Sequence, residues 1–222
     1  MGHIAEWLSE PMTEDVLQKI FMSDQDMYPA PLTYARLKSW VDGCPDLSRC
    51  FSIPPDTGKD TERNEVAGAI IVLPLIETAW RDLLDGTLRE TDIDPSVMFP
   101  PDDSSSAVGL HVFHVERFSE RLKGFATGSL KYAHDAARTK QWDVLGCSAL
   151  TATEEGTRSF QRLGFVATGY EEFWVEINCQ ITLVPVYPGQ GADLVTKSEK
   201  ACIKGKAHMV ARFSNDKDQA SH

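Results

Sequence analysis

The chain has 222 residues, of which 42% are hydrophobic and 25% charged, and its formal net charge is −11. An acidic chain of this kind is poorly suited to sequence-independent nucleic-acid binding, which needs Lys and Arg to displace counterions from phosphates. Length and composition predict a single domain over residues 1–222, with a frayed tail from about 214.

The five cysteines form no CxxC pair, and no Cys/His pair has the spacing of metal ligands. We therefore expect reduced thiols in a cytoplasmic protein, and no metal site. The start MGHIAEWLSEPMTED has no long apolar run, and no segment approaches the roughly 18 apolar residues of a membrane span. Neither a signal peptide nor a membrane segment is expected.

The first part of the chain predicts two helices and two strands. MTEDVLQKIFMSDQ has the apolar period of a helix, with Thr13 able to cap it. LTYARLKSWVDG predicts a second helix after the loop YPAP, and the short strand RCFSI follows. The apolar run VAGAIIVLPL predicts a buried central strand.

Helices and strands alternate through the rest of the chain. ETAWRDLLDGTL predicts a helix, RETDIDPSVMFPPDDSSS a loop, GLHVFHVERF a strand and SLKYAHDAARTK a helix. WDVLGCSAL predicts a strand, TEEGTRSFQRLG a helix capped by Thr153, and FVATGYEEFWVEI and AHMVARF two more strands, whereas 178–207 carries no assignable pattern. The alternation predicts a mixed α/β sheet with helices on both faces and ligands at the carboxyl ends of strands.

The turn from Arg121 to Gly128 joins the histidine-bearing strand to its helix. Gly124 and Ala126 allow a ligand to approach the backbone closely, and the N–H groups at the helix start favour an anion. Arg121 and Lys123 add positive charge. These features suit a phosphate or pyrophosphate, although the spacing matches neither G-x-G-x-x-G nor G-x-x-x-x-G-K-S/T. An ordinary strand-to-helix connection is the alternative.

Arg121-x-x-Gly124-x-Ala126 matches the Q/R-x-x-G-x-G/A signature of the GCN5-related N-acetyltransferases, and TEEGTRSFQRLGFVATG resembles that family's second motif. Further islands between residues 12 and 175, including VAGAIIVLPLIETAWRDLL, resemble the arylalkylamine (serotonin) N-acetyltransferase branch. The resemblance implies a mixed, mostly antiparallel sheet with a splayed strand pair that holds acetyl-CoA. Compared with the family, the segments at about 92–108 and 178–207 are insertions. It also implies a monomeric N-acetyltransferase that transfers acetyl directly from acetyl-CoA to a small primary amine.

The resemblance also assigns roles to residues. In the branch, two strand histidines two residues apart take the amine proton, and the matching positions here are Gly109 and His111. Strand alternation puts His111 on one face and His114 and Glu116, the second candidates for the base, on the other, unless the family's bulge changes the faces. The implied cofactor contacts are Phe113, Val115, Arg121, Leu122, Lys123, Gly124, Phe125, Ala126 and Thr127, and the implied substrate contacts are Tyr28, Pro29, Pro31, Leu32, Phe160 and Trp174.

Two family positions differ in this sequence. Phe160 replaces the tyrosine that protonates the leaving thiolate, and Thr153 replaces an asparagine. Tyr170, Tyr132, water or the amine itself are then the remaining proton donors. Two other functions stay open, namely an acyl-CoA-binding protein without transferase activity, and reuse of the fold for another acid–base reaction with His111 or His114.

Overall fold

The structure is a computed structural model that describes residues 7–27, 32–54, 64–101, 105–177, 180–190 and 202–214. They form one eight-stranded sheet with helices on both faces. The strands are β1 (Leu8–Pro11), β2 (Ser48–Ile53), β3 (Glu65–Ile76), β4 (Ala107–Arg117), β5 (Asp143–Thr151), β6 (Val166–Ile177), β7 (Gln180–Val186) and β8 (Cys202–Phe213). The helices are α1 (Glu14–Met27), α2 (Tyr34–Gly43), α3 (Glu77–Asp85), α4 (Pro95–Met98), α5 (Phe125–Thr139) and α6 (Glu154–Arg162).

The strand order is β1-β2-β3-β4-β5-β8-β6-β7, and among the described pairs β4 and β5 alone are parallel. Their ladder ends where Val112 faces Ala149. Beyond it, β4 continues to Arg117 against β3, while β5 continues to Thr151 against β8. The two strands therefore part at the centre of the sheet. The prediction of a mixed, mostly antiparallel sheet with a splayed strand pair is confirmed.

Helices α5 and α6 cover one face of the sheet, called the α5/α6 face below. Phe125 at the start of α5 lies over Gly68 of β3, where it fills the space that a side chain would need. Arg212 of β8 donates a hydrogen bond to the carbonyl of Leu163, just after α6. Because paired residues share a face and directions alternate along a strand, Val112 of β4 lies on this face as well.

Helices α1, α2 and α3 cover the opposite face, called the α1–α3 face below. Trp80 of α3 donates its indole N–H to Ser148 Oγ of β5. Trp40 of α2 packs edge-on against Phe113 of β4, with ring centroids 5.0 Å apart. The strands between the two helix layers are apolar because both of their faces are covered: every residue from 67 to 75 in β3 is buried.

A bulge at Phe113 changes the faces of β4. Ile71 of β3 pairs with His114, and the next residue, Val72, pairs with Val112, so Phe113 is the extra residue. His111 and His114 consequently both point to the α1–α3 face, together with Glu116. Simple alternation separates the two histidines, but the bulge that the resemblance allowed for brings them to one face, since a single unpaired residue shifts every later side chain to the other face.

The elements differ from the predictions in three further places. Helix α5 begins before the predicted SLKYAHDAARTK, because Gly128 does not break the helix but makes room for the Trp7 ring, 2.4 Å from where its Cβ would lie. The predicted loop over 89–106 contains a 3-10 turn at Glu90–Asp92 and the short α4. The unassigned segment 178–207 contributes β7 and the start of β8, and β1 was not predicted. No helix within the described residues is long and apolar enough to cross a membrane.

Candidate functional site

The parting of β4 and β5 opens a gap lined by backbone. Phe113 and Val115 lie beyond the last β4–β5 pair, and β4 there is hydrogen-bonded only to β3 among the described strands. The other edge of this stretch faces the gap. A strand edge of this kind presents N–H and C=O groups to whatever lies beside it. The gap can therefore bind an extended, amide-containing ligand through the backbone of these two residues.

The N-terminus of α5 is an uncapped cluster of N–H groups near one end of this gap. Gly124 is its N-cap, with a φ of 72°, and no side chain caps the helix. The first intrahelical hydrogen bond runs from the Gly128 N–H to the Gly124 carbonyl, at 3.0 Å. The N–H groups of Phe125, Ala126 and Thr127 thus precede the intrahelical ladder. A Cβ on Gly124 would meet nothing within 4 Å, so the approach to these groups is open.

The side chains of this turn divide between core and surface. Leu122 and Phe125 are buried, so only their backbone is available to a ligand. Arg121 donates to the Pro54 carbonyl at 3.0 Å and lies 3.9 Å from Glu65, which orients its guanidinium toward the β2–β3 end. Lys123 is exposed. The arrangement fits an anion held by helix N–H groups, with Lys123 as the cation nearest to solvent.

His111 belongs to a buried chain of hydrogen bonds. Its Nε2 lies 2.7 Å from Glu90 Oε1, and its Nδ1 lies 2.9 Å from Ser148 Oγ, which also accepts the indole N–H of Trp80. A carboxylate only accepts, so Nε2 carries a proton, and the Ser148 hydroxyl donates to Nδ1. The His111 side chain is 0% exposed, whereas that of Glu90 is 10% exposed. Glu90 is therefore the less buried end of the chain.

Trp80 occupies the position that the resemblance assigned to a first histidine. A Cβ on Gly109 would lie 2.0 Å from two atoms of the Trp80 ring, which is 1% exposed. The missing histidine is therefore a consequence of packing: α3 places an indole where that side chain would lie, and the indole holds Ser148 in turn.

His114 sits between two carboxylates on the same face. Its Nδ1 lies 3.3 Å from Asp24 of α1 and its Nε2 lies 3.2 Å from Glu116. Burial lowers the pKa of His114, but the hydrogen bonds and charges of Asp24 and Glu116 outweigh it and raise that pKa to about 9. The hydrogen bond from His114 likewise lowers the pKa of Glu116. At neutral pH this is an imidazolium between two carboxylates, which leaves His114 unable to accept a proton.

No protein-family model matches the sequence, and no curated protein does either. Solved structures do match. NAA60 of Arabidopsis thaliana in complex with a bisubstrate analogue gives a TM-score of 0.54 at 12% identity, covering 95% of this chain and 100% of that chain. With acetyl-CoA, the same protein gives 0.54 at 12% identity, covering 94% and 98%. The NatC complex bound to Gag peptide and CoA gives 0.51 at 12% identity, covering 95% and 99%.

The chain has the fold of the GCN5-related N-acetyltransferases. At such identities the likeness establishes the fold alone, and the chemistry depends on the residues of the site.

In this N-acetyltransferase fold, the side chains expected around a leaving thiolate and a substrate are largely buried. Phe160 packs edge-on against Phe165, with centroids 4.9 Å apart, and Trp174 is 1% exposed. Leu32 is buried as well, while Tyr28, Pro29 and Pro31 lie outside the described residues. We therefore leave Phe160 and Trp174 out of the proposed substrate site and assign them to the core.

Tyr170 is no better as a proton donor than Phe160. Its hydroxyl donates to Glu172 at 2.8 Å, and both side chains are buried. Burial, followed by the charge of Glu172 and this hydrogen bond, raises the pKa of the Tyr170 phenol far above its ordinary value. A phenol held so strongly in its neutral form does not yield its proton near neutral pH.

Sequence reasoning missed Glu90 and Ser148, which contact His111, and a separate charged cluster of Lys206, Glu171 and His208. The first two are 21 and 37 residues from His111, and no sequence period relates them to it. The other three lie on neighbouring strands, where Glu171 pairs with His208. Strand alternation in KGKAHMV does put Lys206 and His208 on one face, which is the one signal that could have found them.

Proposed function

We propose that this chain is an acetyl-CoA-dependent N-acetyltransferase that acts on a small primary amine by direct acetyl transfer. The observation that carries the proposal is the parting of β4 and β5 beside the uncapped N-terminus of α5. A strand edge and a cluster of helix N–H groups together suit a ligand that has an amide-containing arm and a pyrophosphate. Acetyl-CoA is such a ligand, and the NAA60 and NatC structures of this fold hold acetyl-CoA and CoA.

The cofactor side is the α5/α6 face. The backbone of Phe113 and Val115 would bind the arm in the gap, and the N–H groups of Phe125, Ala126 and Thr127 would bind the pyrophosphate. The backbone N–H groups next to the bulge are also suited to the carbonyl oxygen, on which negative charge develops during transfer.

The amine side is the α1–α3 face, which carries the carboxylates of Asp24, Glu90 and Glu116. Carboxylates favour an ammonium over a neutral or acidic substrate, as does the net charge of −11. Because both nitrogens of His111 are engaged, we assign the acceptance of the amine proton to Glu90. His111 then positions Glu90 through its Nε2–H and is not itself the base.

Ligand binding tests the cofactor side directly. A ligand at about 100 times its dissociation constant adds about 2.7 kcal/mol, so acetyl-CoA should raise the melting temperature by several degrees. Gly124→Ala should abolish most of this shift, because the new methyl group stands at the N–H cluster. Gly189→Ala is the matched control, since Gly189 also has a positive φ, of 83°, and nothing within 4 Å of a Cβ. Loss of the melting shift in both variants, or in neither, would count against pyrophosphate binding at the N-terminus of α5.

An amine panel tests the transfer. Small arylalkylamines, diamines and peptides with a free N-terminus are compared by amine-dependent release of CoA thiol. Faster release with small amines supports the proposal, and preference for peptides would replace the substrate class while keeping the reaction.

The runner-up is an acyl-CoA-binding protein without transferase activity. It is favoured by the two filled positions, Gly109 under Trp80 and Phe160 against Phe165, where the resemblance expected proton-carrying side chains. A melting shift with acetyl-CoA and no release of thiol with any amine would support it.

A further inference from the structure

An open pocket of about 440 Å³ begins where β5 ends. Its wall combines hydroxyls from the end of β5 and the first turns of α6 with cations from α6 and β8: Thr151, Thr153, Thr157, Arg158, Lys206 and His208. None of these residues belongs to the gap, to the α5 N-terminus or to the surroundings of His111 and His114. A pocket that gathers hydroxyls, cations and an imidazole is equipped for polar chemistry.

The pocket opens on the same face and at the same end of the strands as the gap. Thr151 lies just past Ala149, the last β5 residue paired with β4. Thr151 pairs with His208, so both side chains lie on the α5/α6 face. An arm that runs from the α5 N-terminus into the gap would therefore end beside this pocket.

The pocket also adjoins the position of the missing tyrosine. Thr153, Thr157 and Phe160 are spaced at i, i+4 and i+7 along α6, so they share one face of the helix. The first two line the pocket, and Phe160 follows them by about one turn. Whatever replaces the tyrosine has to approach the thiolate from this side.

His208 lies in this wall beside a carboxylate that orients its ring. Glu171 Oε1 lies 2.7 Å from its Nδ1, and the same oxygen lies 3.2 Å from Lys206 Nζ. The carboxylate therefore orients the imidazole ring through its Nδ1 side. Among the described residues, none forms a hydrogen bond with Nε2, and the side chain is 35% exposed. His208 thus has a donor atom available, unlike His111 and His114, which lie on the opposite face with both nitrogens engaged.

Resting on the proposed function, we propose that His208 is the catalytic proton donor to the leaving thiolate, in place of the family tyrosine, and that Glu171 positions it. The amine nitrogen forms its bond to the carbonyl carbon, and the carbon–sulfur bond breaks with its electron pair on sulfur. The sulfur takes the proton from His208 Nε2, and the amine proton goes to Glu90. The products are the amide and CoA thiol, and the cycle closes when Glu90 releases its proton to solvent and His208 takes one up from it.

The charges around His208 come from every element that packs against it. Glu171 of β6 is the nearest anion and Lys206 of β8 the nearest cation, while Glu154 and Arg158 of α6 lie across the pocket and bond to each other. Lys206 competes with His208 for Glu171. Removal of Glu171 should therefore disturb the position of the His208 ring more than removal of Lys206.

The test uses His208→Gln and, as matched control, His134→Gln, which removes a histidine of α5 away from the pocket. His208→Gln should lower kcat about 100-fold, within the range of a lost general acid, and retain the melting shift with acetyl-CoA. Activity of the wild type that falls with rising pH should lose that alkaline limb in His208→Gln. Glu171→Gln, which removes the carboxylate charge beside His208 Nδ1, should lower kcat while the KM for acetyl-CoA stays unchanged.

A second measurement needs no turnover. Diethyl pyrocarbonate labels accessible histidines, and acetyl-CoA should protect His208 while His134 stays labelled. A wild type that releases thiol while His208→Gln matches His134→Gln would overturn the proton donor and leave the proposed function standing. A wild type that binds acetyl-CoA without transfer overturns the proposed function and, with it, the catalytic role of His208. Labelling of His208 that acetyl-CoA leaves unchanged overturns its place beside the thioester.

Discussion

Gly109→Ala tests whether packing against Trp80 explains why position 109 carries no histidine. The added Cβ would lie 2.0 Å from the Trp80 ring, whereas carbon atoms in contact are about 3.5–4.0 Å apart. The ring must therefore move by more than an ångström, and Trp80 is the donor to Ser148 at 2.9 Å. The substitution thus strains the core and breaks one end of the His111 chain at the same time.

The cost follows from these two effects. Overpacking of a dense core costs about 1–3 kcal/mol, and a buried donor left without its partner costs about 1–3 kcal/mol. Because alanine restricts the unfolded chain more than glycine does, Gly→Ala also stabilises the folded protein by up to about 1 kcal/mol. We expect a net loss of about 2–4 kcal/mol in the free energy of unfolding. At about 2–4 °C per kcal/mol for this size, the melting temperature should fall by roughly 4–16 °C.

Urea unfolding measures the loss, with an unchanged m value as evidence that only stability changed. Trp80→Leu provides the second arm of a double-mutant cycle, because a smaller side chain leaves room for the methyl group. Gly109→Ala should then cost at least 1 kcal/mol less in the Trp80→Leu background than in the wild type, as coupled neighbours do. A cost within about 0.5 kcal/mol of zero, or an equal cost in both backgrounds, would refute the packing explanation.

Three further predictions concern charged and buried groups. Glu90→Gln should lower kcat about 100-fold with folding retained, whereas Glu77→Gln, at a solvent-exposed position of α3, should leave kcat unchanged. Equal rates in the two variants would exclude Glu90 as the base. The pKa of His114 is about 9 in the folded protein, against about 6.5 in the unfolded chain. The charged imidazole therefore stabilises the folded protein by at most about 3 kcal/mol. This stabilisation is complete below pH 6.5 and is lost as the pH rises through 9. Urea unfolding of wild type and His114→Gln should converge over that window, and a constant difference would contradict it. Tyr170→Phe should cost about 1–3 kcal/mol, since Glu172 loses a buried donor, and should leave kcat unchanged if Tyr170 is not the acid.

Much of the fold could be predicted because it depends on local patterns. The threonine caps at Thr13 and Thr153 accept hydrogen bonds from Val16 and Gly156, as N-cap positions do. The run around 67–75 is apolar throughout because it is covered on both faces. Such signals need no knowledge of what packs against the element.

The bulge at Phe113 shows why the site could not be predicted to the same depth. Alternation along GLHVFHVERF is a local rule, but the register with β3 inserts one residue into β4 and reverses every side chain after it. The sequence has no glycine or proline at that point to announce the change. His114 therefore joined the face of His111 only when the pairing was known.

Partners remote in sequence were beyond prediction for a related reason. Glu90 lies in a segment that the sequence predicted to be a loop, and its proposed role depends on the 2.7 Å contact with His111. His208 sits in a strand that was predicted, yet its role depends on Glu171 in the neighbouring strand and on the pocket of α6. A titratable side chain acquires its chemistry from its neighbours, and those neighbours are set by the tertiary fold.

In the proposed reaction, the two proton transfers take place on opposite faces of the sheet. Direct transfer removes one proton from the amine and delivers one to the thiolate, and a site with a single histidine would need one group for both. Here the acceptor Glu90 belongs to the α1–α3 face with His111 behind it, and the donor His208 belongs to the α5/α6 face with Glu171 behind it. The substrates meet in the gap between them, where β4 and β5 part. Because the acceptor and the donor are different groups on opposite faces, neither has to serve both proton transfers of the proposed reaction.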